Sequence, residues 1–439
     1  MKVRDYMGKA TNLAEIRATC RYFPLDSDDL SSFYIDTKEA RGVDVLQKLI
    51  LDFEQIPMVY QQILFLGHIG AGKSTLLYQL EKTLSSSYYV IRFSVQDLLD
   101  INTITFSDLM CVMYERILHT FQDKLDDRFA ILQRIYESWN NTITKETSSF
   151  KDYEMEIDAE GRLGLTTRLV KLMTRLISSI KVGSQIKETI SCEIKNDINK
   201  YIEMLNDLIA QITKVESKPI LLMFEDLEKI SEKSANDIFI LQSDYFHRIK
   251  TRMLLTTPIY LKYSLDFKSA ISYNFTSYEI CPMIAVIEKN SNHISSNGYA
   301  TAIEIMKSIV YARVEEDLID DETLTKIIKS SGGVFRDLFG MLCEASKNAQ
   351  LNHRRIINEY DYIVAFNKLQ EEYGNVITEE YLPIIEKVYR NPHSLVQNTN
   401  SFLKLMKHEI IIEYNCEQWR GIHPAVVEYV NNKKLLDLR

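Results

Sequence analysis

The run Gly67-His68-Ile69-Gly70-Ala71-Gly72-Lys73-Ser74 constrains this chain more than any other stretch. An apolar tetrad, Ile63-Leu64-Phe65-Leu66, precedes it, and Thr75-Leu76-Leu77-Tyr78-Gln79-Leu80 follows with helical character. Strand, glycine loop and helix make the setting of a phosphate-binding P-loop. The glycines let backbone N–H groups turn inward around phosphate oxygens, and the helix N-terminus adds the positive end of its dipole. In that arrangement Lys73 reaches the β- and γ-phosphates and the Ser74 hydroxyl ligates Mg²⁺. Gly67, His68, Gly70, Ala71, Gly72, Lys73, Ser74 and Thr75 are therefore the expected binding residues for ATP or GTP.

The 439 residues give room for two to four domains and a large core. A net charge of −9 argues against broad, sequence-blind adhesion to nucleic acid, though a local basic face is compatible with it. No apolar run reaches the length of a membrane span, so no membrane partner is expected. The opening residues, Met1 to Asp5, lead into no signal-peptide core. The expected setting is the cytoplasm, where Cys20, Cys111, Cys192, Cys281, Cys343 and Cys416 would stay reduced and structural.

Strand-like runs recur at Tyr88–Phe93, Pro219–Phe224, Met253–Thr257 and Tyr278–Pro282. The second is continuously apolar, as a buried parallel strand reads. Strands alternating with helices imply a parallel α/β sheet whose ligand sits at the carboxyl ends of the strands. Residues 1–32 are polar and weakly patterned, Phe33–Thr37 reads as a short extended segment, and Val43–Leu51 as a helix. Residues 123–217 form a long, charged, helix-rich insert with Tyr201–Ile212 as its clearest amphipathic piece. Helical periodicity covers Ala300–Glu316, Asp321–Ser330, Phe335–Gln350 and Glu359–Tyr373. Two further helices, about 379–390 and 399–408, precede Glu409–Tyr414, a turn at Asn415–Gln418 and Trp419–His423. Helices followed by a hairpin suggest a winged helix. The expected organisation is an N-terminal segment (1–56) and a P-loop nucleotide-binding domain (57–283) carrying the insert. A helical lid (284–375) and a winged-helix domain (376–439) follow.

Glu225 and Asp226 end a strand expected to lie beside the P-loop strand. Adjacent carboxylates there can supply the Mg²⁺ shell, with Ser74, and a group that polarises water. Thr256 and Thr257 close the next strand, where a hydroxyl meets the attacking water or the γ-phosphate; Thr257 is the catalytic candidate. Ser331-Gly332-Gly333-Val334-Phe335-Arg336 opens a helix. Arg336 in its first turn would report ATP against ADP through charge-assisted bonds. Arg248, Arg252 and Arg313 are weaker candidates for a phosphate contact. No guanine-reading Asn-Lys-x-Asp stands at a suitable strand end.

Together these motifs resemble the AAA+/STAND P-loop ATPases, in the origin-recognition/Cdc6-like branch, over roughly residues 33–439. The resemblance implies Gly67–Thr75 as Walker A, Glu225-Asp226 as Walker B, Thr256 or Thr257 as sensor 1 and Gly333-Val334-Phe335-Arg336 as sensor 2. It implies ATP as the nucleotide, with adenine contacts from Tyr34–Gly42. The wording of Phe33–Gly42, Leu66–Thr75 and Phe224–Lys229 is similar to bacterial STAND-type ATPases that accompany effectors in antiphage defence. Two departures stand out: Walker B usually runs Asp then Glu, and Pro258–Tyr278 contains Lys262 and Lys268 but no arginine finger. The expected activity is thus an ATPase switch, slow if it hydrolyses, that assembles as a homo-oligomer or hetero-complex or docks an effector protein. The competing expectation is a DNA-binding replication initiator or loader, motivated by the winged helix. A small-molecule kinase fits the lid and hairpin poorly.

Overall fold

A computed structural model describes residues 8–20, 25, 27–55, 60–144, 164–182, 185–287, 296–393, 399–414 and 419–438. Five strands form the central sheet: β1 (Gln61–Gly67), β2 (Tyr89–Ser94), β3 (Ile220–Glu225), β4 (Arg252–Pro258) and β5 (Ser277–Ile280). Their order is β2-β3-β4-β1-β5, with β2, β3 and β4 parallel in sequence. Every residue of β1 and of β3 is buried, which is why Ile63–Leu66 and Ile220–Phe224 read as continuous apolar runs rather than alternating ones. Phe93 and Phe224 are register partners and pack edge to face at 4.7 Å. This is the parallel sheet of a P-loop NTPase. One expectation is corrected: β3 does not adjoin β1. Leu221–Phe224 pair with Arg252–Leu255, so β4 intervenes between them. Both flanks of β3 are thereby paired, as a fully buried strand requires.

The chain divides into two compact units, one of residues 51–65 and 81–279, the other of 1–50, 66–80 and 280–439. The first carries most of the sheet and the helical insert. Helix Phe106–Phe121 starts at a capping box, with Thr105 and Asp108 exchanging side-chain and backbone bonds. It is buried almost all round, as the central helix of a layer is. Helices Ala130–Thr144, Leu165–Lys181, Gln185–Asn196 and Ile198–Glu216 complete the described part of the insert. At its centre Trp139 packs on Tyr114 and Tyr201, and the Tyr114 hydroxyl donates to the Tyr201 carbonyl at 2.6 Å.

The second unit contains the helices Ser296–Tyr311, Asp321–Ser330, Phe335–Leu351 and Glu359–Gly374, the last begun by an Asn358–Asp361 capping box. Helices Leu382–Arg390 and Asn400–Lys407 precede an antiparallel pair, β6 (Ile411–Tyr414) and β7 (Trp419–Ile422), and helix Pro424–Asn432 follows. Tyr414 stacks on Trp419 across the pair. The region is winged-helix-like. The expected turn at Asn415–Gln418, with Cys416, lies outside the described residues, as does the opening stretch Met1–Asp5. Among the described residues the cysteines form no disulfide, and no helix is long and apolar enough to cross a membrane.

The N-terminal stretch differs from its sequence reading. Residues 8–33 contain helices Ile16–Thr19 and Ser27–Phe33, so the expected extended segment begins inside a helix. Phe33 is buried, and the buried Arg313 guanidinium lies over its ring and donates to its carbonyl at 3.2 Å. That packing overrides the strand preference of the Phe-Tyr-Ile run.

Trp139→Ala is expected to destabilise the insert by about 3–5 kcal/mol, read as an earlier urea midpoint. A change below about 1 kcal/mol would mean that the aromatic centre does not fold cooperatively with the rest.

Candidate functional site

In the loop after β1, Gly70 and Gly72 have φ of +75° and +88°, a backbone region that side chains rarely adopt. A Cβ at Gly70 would stand 2.9 Å from Val334 Cγ1, and one at Gly72 would stand 3.2 Å from both Arg41 Nη2 and Phe335 Cε2. Helix Lys73–Leu84 begins within the motif. Lys73 is buried, and its ammonium donates to the Gly67 carbonyl at 3.1 Å and the His68 carbonyl at 2.7 Å. Ser74 and Thr75 are half-buried at the helix start.

Arg41, which sequence reasoning placed only in a segment near the base, braces this loop. It is buried at the end of the short helix Lys38–Arg41. Its Nη2 donates to the Ala71 carbonyl at 2.6 Å, its Nη1 to Cys281 Sγ at 3.3 Å and to the Pro282 carbonyl, and its Nε to Thr37 Oγ1 at 2.8 Å. All these acceptors are neutral, so the guanidinium adds positive charge beside the loop. An arginine before a glycine at a helix end carries no sequence signal for that role.

His68 is buried within the loop, and its Nε2 accepts from the Glu413 N–H of β6 at 2.9 Å. A ring nitrogen that accepts is unprotonated, so the proton sits on Nδ1. Burial, and then the Lys73 charge, push the imidazole down to about 3, so it stays neutral. The hairpin is thus bonded directly to the phosphate loop.

Arg336 stands on the same loop. The Phe335 N–H donates to the Gly70 carbonyl at 3.1 Å, and a Cβ at Gly70 would lie 3.6 Å from Arg336 Cβ. The left-handed Gly332 and Gly333 bring the helix start to this point. Arg336 Nη2 donates to Glu409 Oε2 at 3.2 Å, and Asp337 Oδ1 lies 3.5 Å from its Nε. Asp337 also accepts from the Tyr373 hydroxyl at 2.7 Å and faces His423 Nε2 at 3.2 Å. His423 stacks on Tyr373, and its Nδ1 accepts from the Ala425 N–H at the start of the last helix. Burial pushes the Asp337 carboxyl up, but His423, Arg336 and Tyr373 outweigh it and hold the group below its ordinary value. Burial drives Glu409 up to about 7 despite Arg336. Arg336 is itself desolvated, yet Glu409 and Asp337 raise it above its ordinary value. In the sequence Asp337 and Glu409 look like any helix-end acids, and nothing marks them.

Glu225 and Asp226 lie in the other unit. Glu225 is the buried last residue of β3, and Arg92 of β2 donates to its Oε1. Arg92 Nε also donates to Glu81 Oε2 at 2.6 Å. Asp226 has φ +69° and opens a 3₁₀ turn, Leu227–Lys229. The Ser94 hydroxyl donates to its Oδ2 at 2.5 Å, and Lys229 Nζ lies 2.6 Å from its Oδ1. Thr256 Oγ1 accepts from the Leu227 N–H at 3.1 Å, tying β4 to that turn. The buried Thr257 donates to the carbonyl of Leu255 in its own strand. Arg92 could not be foreseen, since its role depends on β2 pairing beside β3. Among the described residues no group of three or more His, Cys, Asp or Glu is gathered for a metal ion. Arg313 is committed to backbone carbonyls at Phe33 and Ile309.

No protein-family model matches the chain, and no curated protein matches it. Among solved structures it is similar to a Walker-type ATPase of Pyrococcus abyssi, at 13% identity over 94% of this chain and 99% of that one, with a TM-score of 0.45. It is also similar to the ORC2 protein of Aeropyrum pernix in ADPNP–ADP complexes (10% identity, 97% and 98% covered, TM-score 0.43). A third is Cdc6p of Pyrobaculum aerophilum (14%, 91% and 98%, 0.36). At such identities and scores the fold assignment rests on this chain's own strand order and glycine loop.

Two outcomes follow from the bracing groups. Arg41→Ala leaves the Ala71 and Pro282 carbonyls without their donor and is expected to cost about 2–3 kcal/mol in urea unfolding; an unchanged midpoint would deny Arg41 its bracing role. Because the folded pKa of Glu409 is raised, its contribution is complete below the ordinary carboxylate range and is lost as pH rises through about 7. Relative to Glu409→Gln, the native chain is expected to lose up to about 3 kcal/mol between about pH 4.5 and pH 7.5. Parallel stability curves for the two would show that Glu409 does not titrate abnormally.

Proposed function

We propose that the chain binds ATP with Mg²⁺ at Gly67–Thr75 and works as a nucleotide-controlled switch that governs assembly or a partner protein. The observation that carries this reading is the bonding of the phosphate loop to two mobile-domain candidates at once. Phe335 N–H meets Gly70 on the lid side, and Glu413 N–H meets His68 on the hairpin side. A loop so connected cannot rearrange around phosphates without being felt in both.

In this reading Lys73 leaves the Gly67 and His68 carbonyls to pair with phosphate oxygens, and inward backbone N–H groups of the loop complete the cradle. Ser74, Glu225 and Asp226 offer the hard oxygen donors that Mg²⁺ accepts alongside phosphates and water. The ion, when bound, neutralises phosphate charge. Glu225, released from Arg92, orients water; Thr257 or Thr256 supports that water; Arg336 contacts the terminal phosphate. Tight pairing of Glu225 by Arg92, the Glu-Asp order and the lack of arginine in Pro258–Tyr278 favour slow turnover over a hydrolysing ring. Setting the switch in bacterial antiphage defence, with a separate effector, rests on the wording of Phe33–Gly42, Leu66–Thr75 and Phe224–Lys229.

The DNA-loader alternative has the winged-helix-like region in its favour. Its basic surface is thin, however: Arg420 is buried over the Phe402 ring.

Mass photometry with no nucleotide, ADP, ATP, and ATP with Lys73→Ala, run beside a phosphate-release assay, tests the proposal. ATP-dependent assembly or partner docking that Lys73→Ala abolishes, with phosphate release below the roughly 1 s⁻¹ common for enzymes, is expected. Brisk release without any change of assembly or partner would replace the switch by a motor or loader, and duplex binding with a steep salt slope would then be its signature.

A further inference from the structure

Glu409 occupies a position that suits it poorly by every local measure. Helix Asn400–Lys407 ends in a Schellman motif: the Glu409 N–H bonds the Met406 carbonyl at 3.4 Å and the Ile410 N–H bonds the Leu405 carbonyl at 3.0 Å. That places Glu409 at the left-handed residue after the cap, with φ +53°, where glycine is the usual occupant. The side chain is then buried rather than solvated. Its Oε1 is enclosed and has no hydrogen-bond partner among the described residues. Backbone strain and carboxylate burial are both unfavourable, and among the described residues the side-chain bond that offsets them is to Arg336.

The surroundings explain the placement. Three cations gather about the phosphate loop in this unit: Lys73 and Arg41, both buried, and Arg336 at the lid. Arg41 donates to neutral acceptors, and Lys73 Nζ donates to the Gly67 and His68 carbonyls. The charged or titratable groups that act on Glu409 are Arg336, Asp337 and Lys73, and Glu409 in turn acts on Tyr373. The carboxylate is bonded to the lid arginine and feels the charge of the P-loop lysine, so it is acted on by the two cations that a terminal phosphate would use.

We propose that Glu409 is an internal stand-in for the terminal phosphate, pairing Arg336 until a third phosphate takes it and setting the selectivity between nucleoside triphosphate and diphosphate. The inference rests on the ATP-binding reading above. A triphosphate has to take Arg336 from Glu409 before its terminal group gains that contact. A diphosphate meets less of that opposition. Glu409 therefore weakens triphosphate binding more than diphosphate binding and makes the capture of Arg336, and with it the release of the segment leading into β6, conditional on a third phosphate.

The test is calorimetric titration of the full chain with MgATP and with MgADP, for wild type, Glu409→Gln, Glu409→Gly, Arg336→Ala and the Glu409→Gln/Arg336→Ala pair. Glu409→Gly relieves the backbone strain, so a folded variant is at hand if Glu409→Gln is unstable. Removal of the carboxylate is expected to raise the ATP-to-ADP affinity ratio about 10-fold or more, and to leave the ratio unchanged in the Arg336→Ala background. In wild type the ratio should also rise as pH falls from about 8 to about 6, with Arg336→Ala lacking that dependence. A ratio within about twofold of wild type in both Glu409 variants, with both nucleotides still bound, overturns the inference and leaves ATP binding standing. A gain that persists without Arg336 overturns it as well. Cooperatively folded wild type and variants that bind neither nucleotide would instead remove the binding reading itself.

Discussion

A glycine loop that turns its N–H groups inward must turn carbonyls outward, and each of those needs a donor. Here the donors are specific. Lys73 serves Gly67 and His68, Arg41 serves Ala71, and the Phe335 N–H serves Gly70. The left-handed Gly70 and Gly72 are what expose these carbonyls, and they also leave the room into which Val334, Phe335 and Arg41 pack. Lid, N-terminal helix and loop are thus conditions of one another's geometry. The hairpin joins through His68, whose neutrality is enforced by burial and so keeps its acceptor available over a wide pH range.

Electrostatics in this unit are arranged around cations rather than around an acid. The network Arg336–Glu409, Arg336–Asp337, Asp337–His423 and Asp337–Tyr373 is mostly buried, and burial with charged neighbours moves Arg336, Asp337, Tyr373 and Glu409 from their ordinary proton affinities. In the other unit the pattern repeats with different residues: Arg92 bridges Glu81 and Glu225, and Ser94 with Lys229 holds Asp226. Acids that the sequence offers as water-polarising or metal-binding groups are, in the folded chain, already bonded. Their release becomes part of any reaction they serve.

The fold was largely legible because its signals are local. Apolar runs marked β1 and β3, and Gly332-Gly333 marked the start of the Arg336 helix. Strand order was less so: whether β3 or β4 lies beside β1 depends on pairing between distant segments, which no single run encodes. Phe33 shows the opposite limit, where a strand-like run ends a helix because Arg313 packs over it. The glycine loop was readable for the same reason the strands were, whereas Arg41, Glu409, Arg92 and His423 acquire their roles only from residues tens to hundreds of positions away. A charge that will be buried looks, in sequence, the same as one that will be solvated.

The unit that contains the phosphate loop is assembled from three separated lengths of chain, 1–50, 66–80 and 280–439, while 51–65 and 81–279 form the other. During vectorial synthesis this has a consequence for timing. The sheet and its helical insert can close as soon as residue 279 has emerged, but Gly67–Ser74 has to wait for Phe335, Glu409 and Glu413 before its outward carbonyls and His68 find their partners. At typical elongation rates that interval is on the order of ten seconds. Through it, a nascent chain would carry a glycine loop without its lid, open to chaperones and to premature ligands alike, and the final hairpin would be the act that seals it.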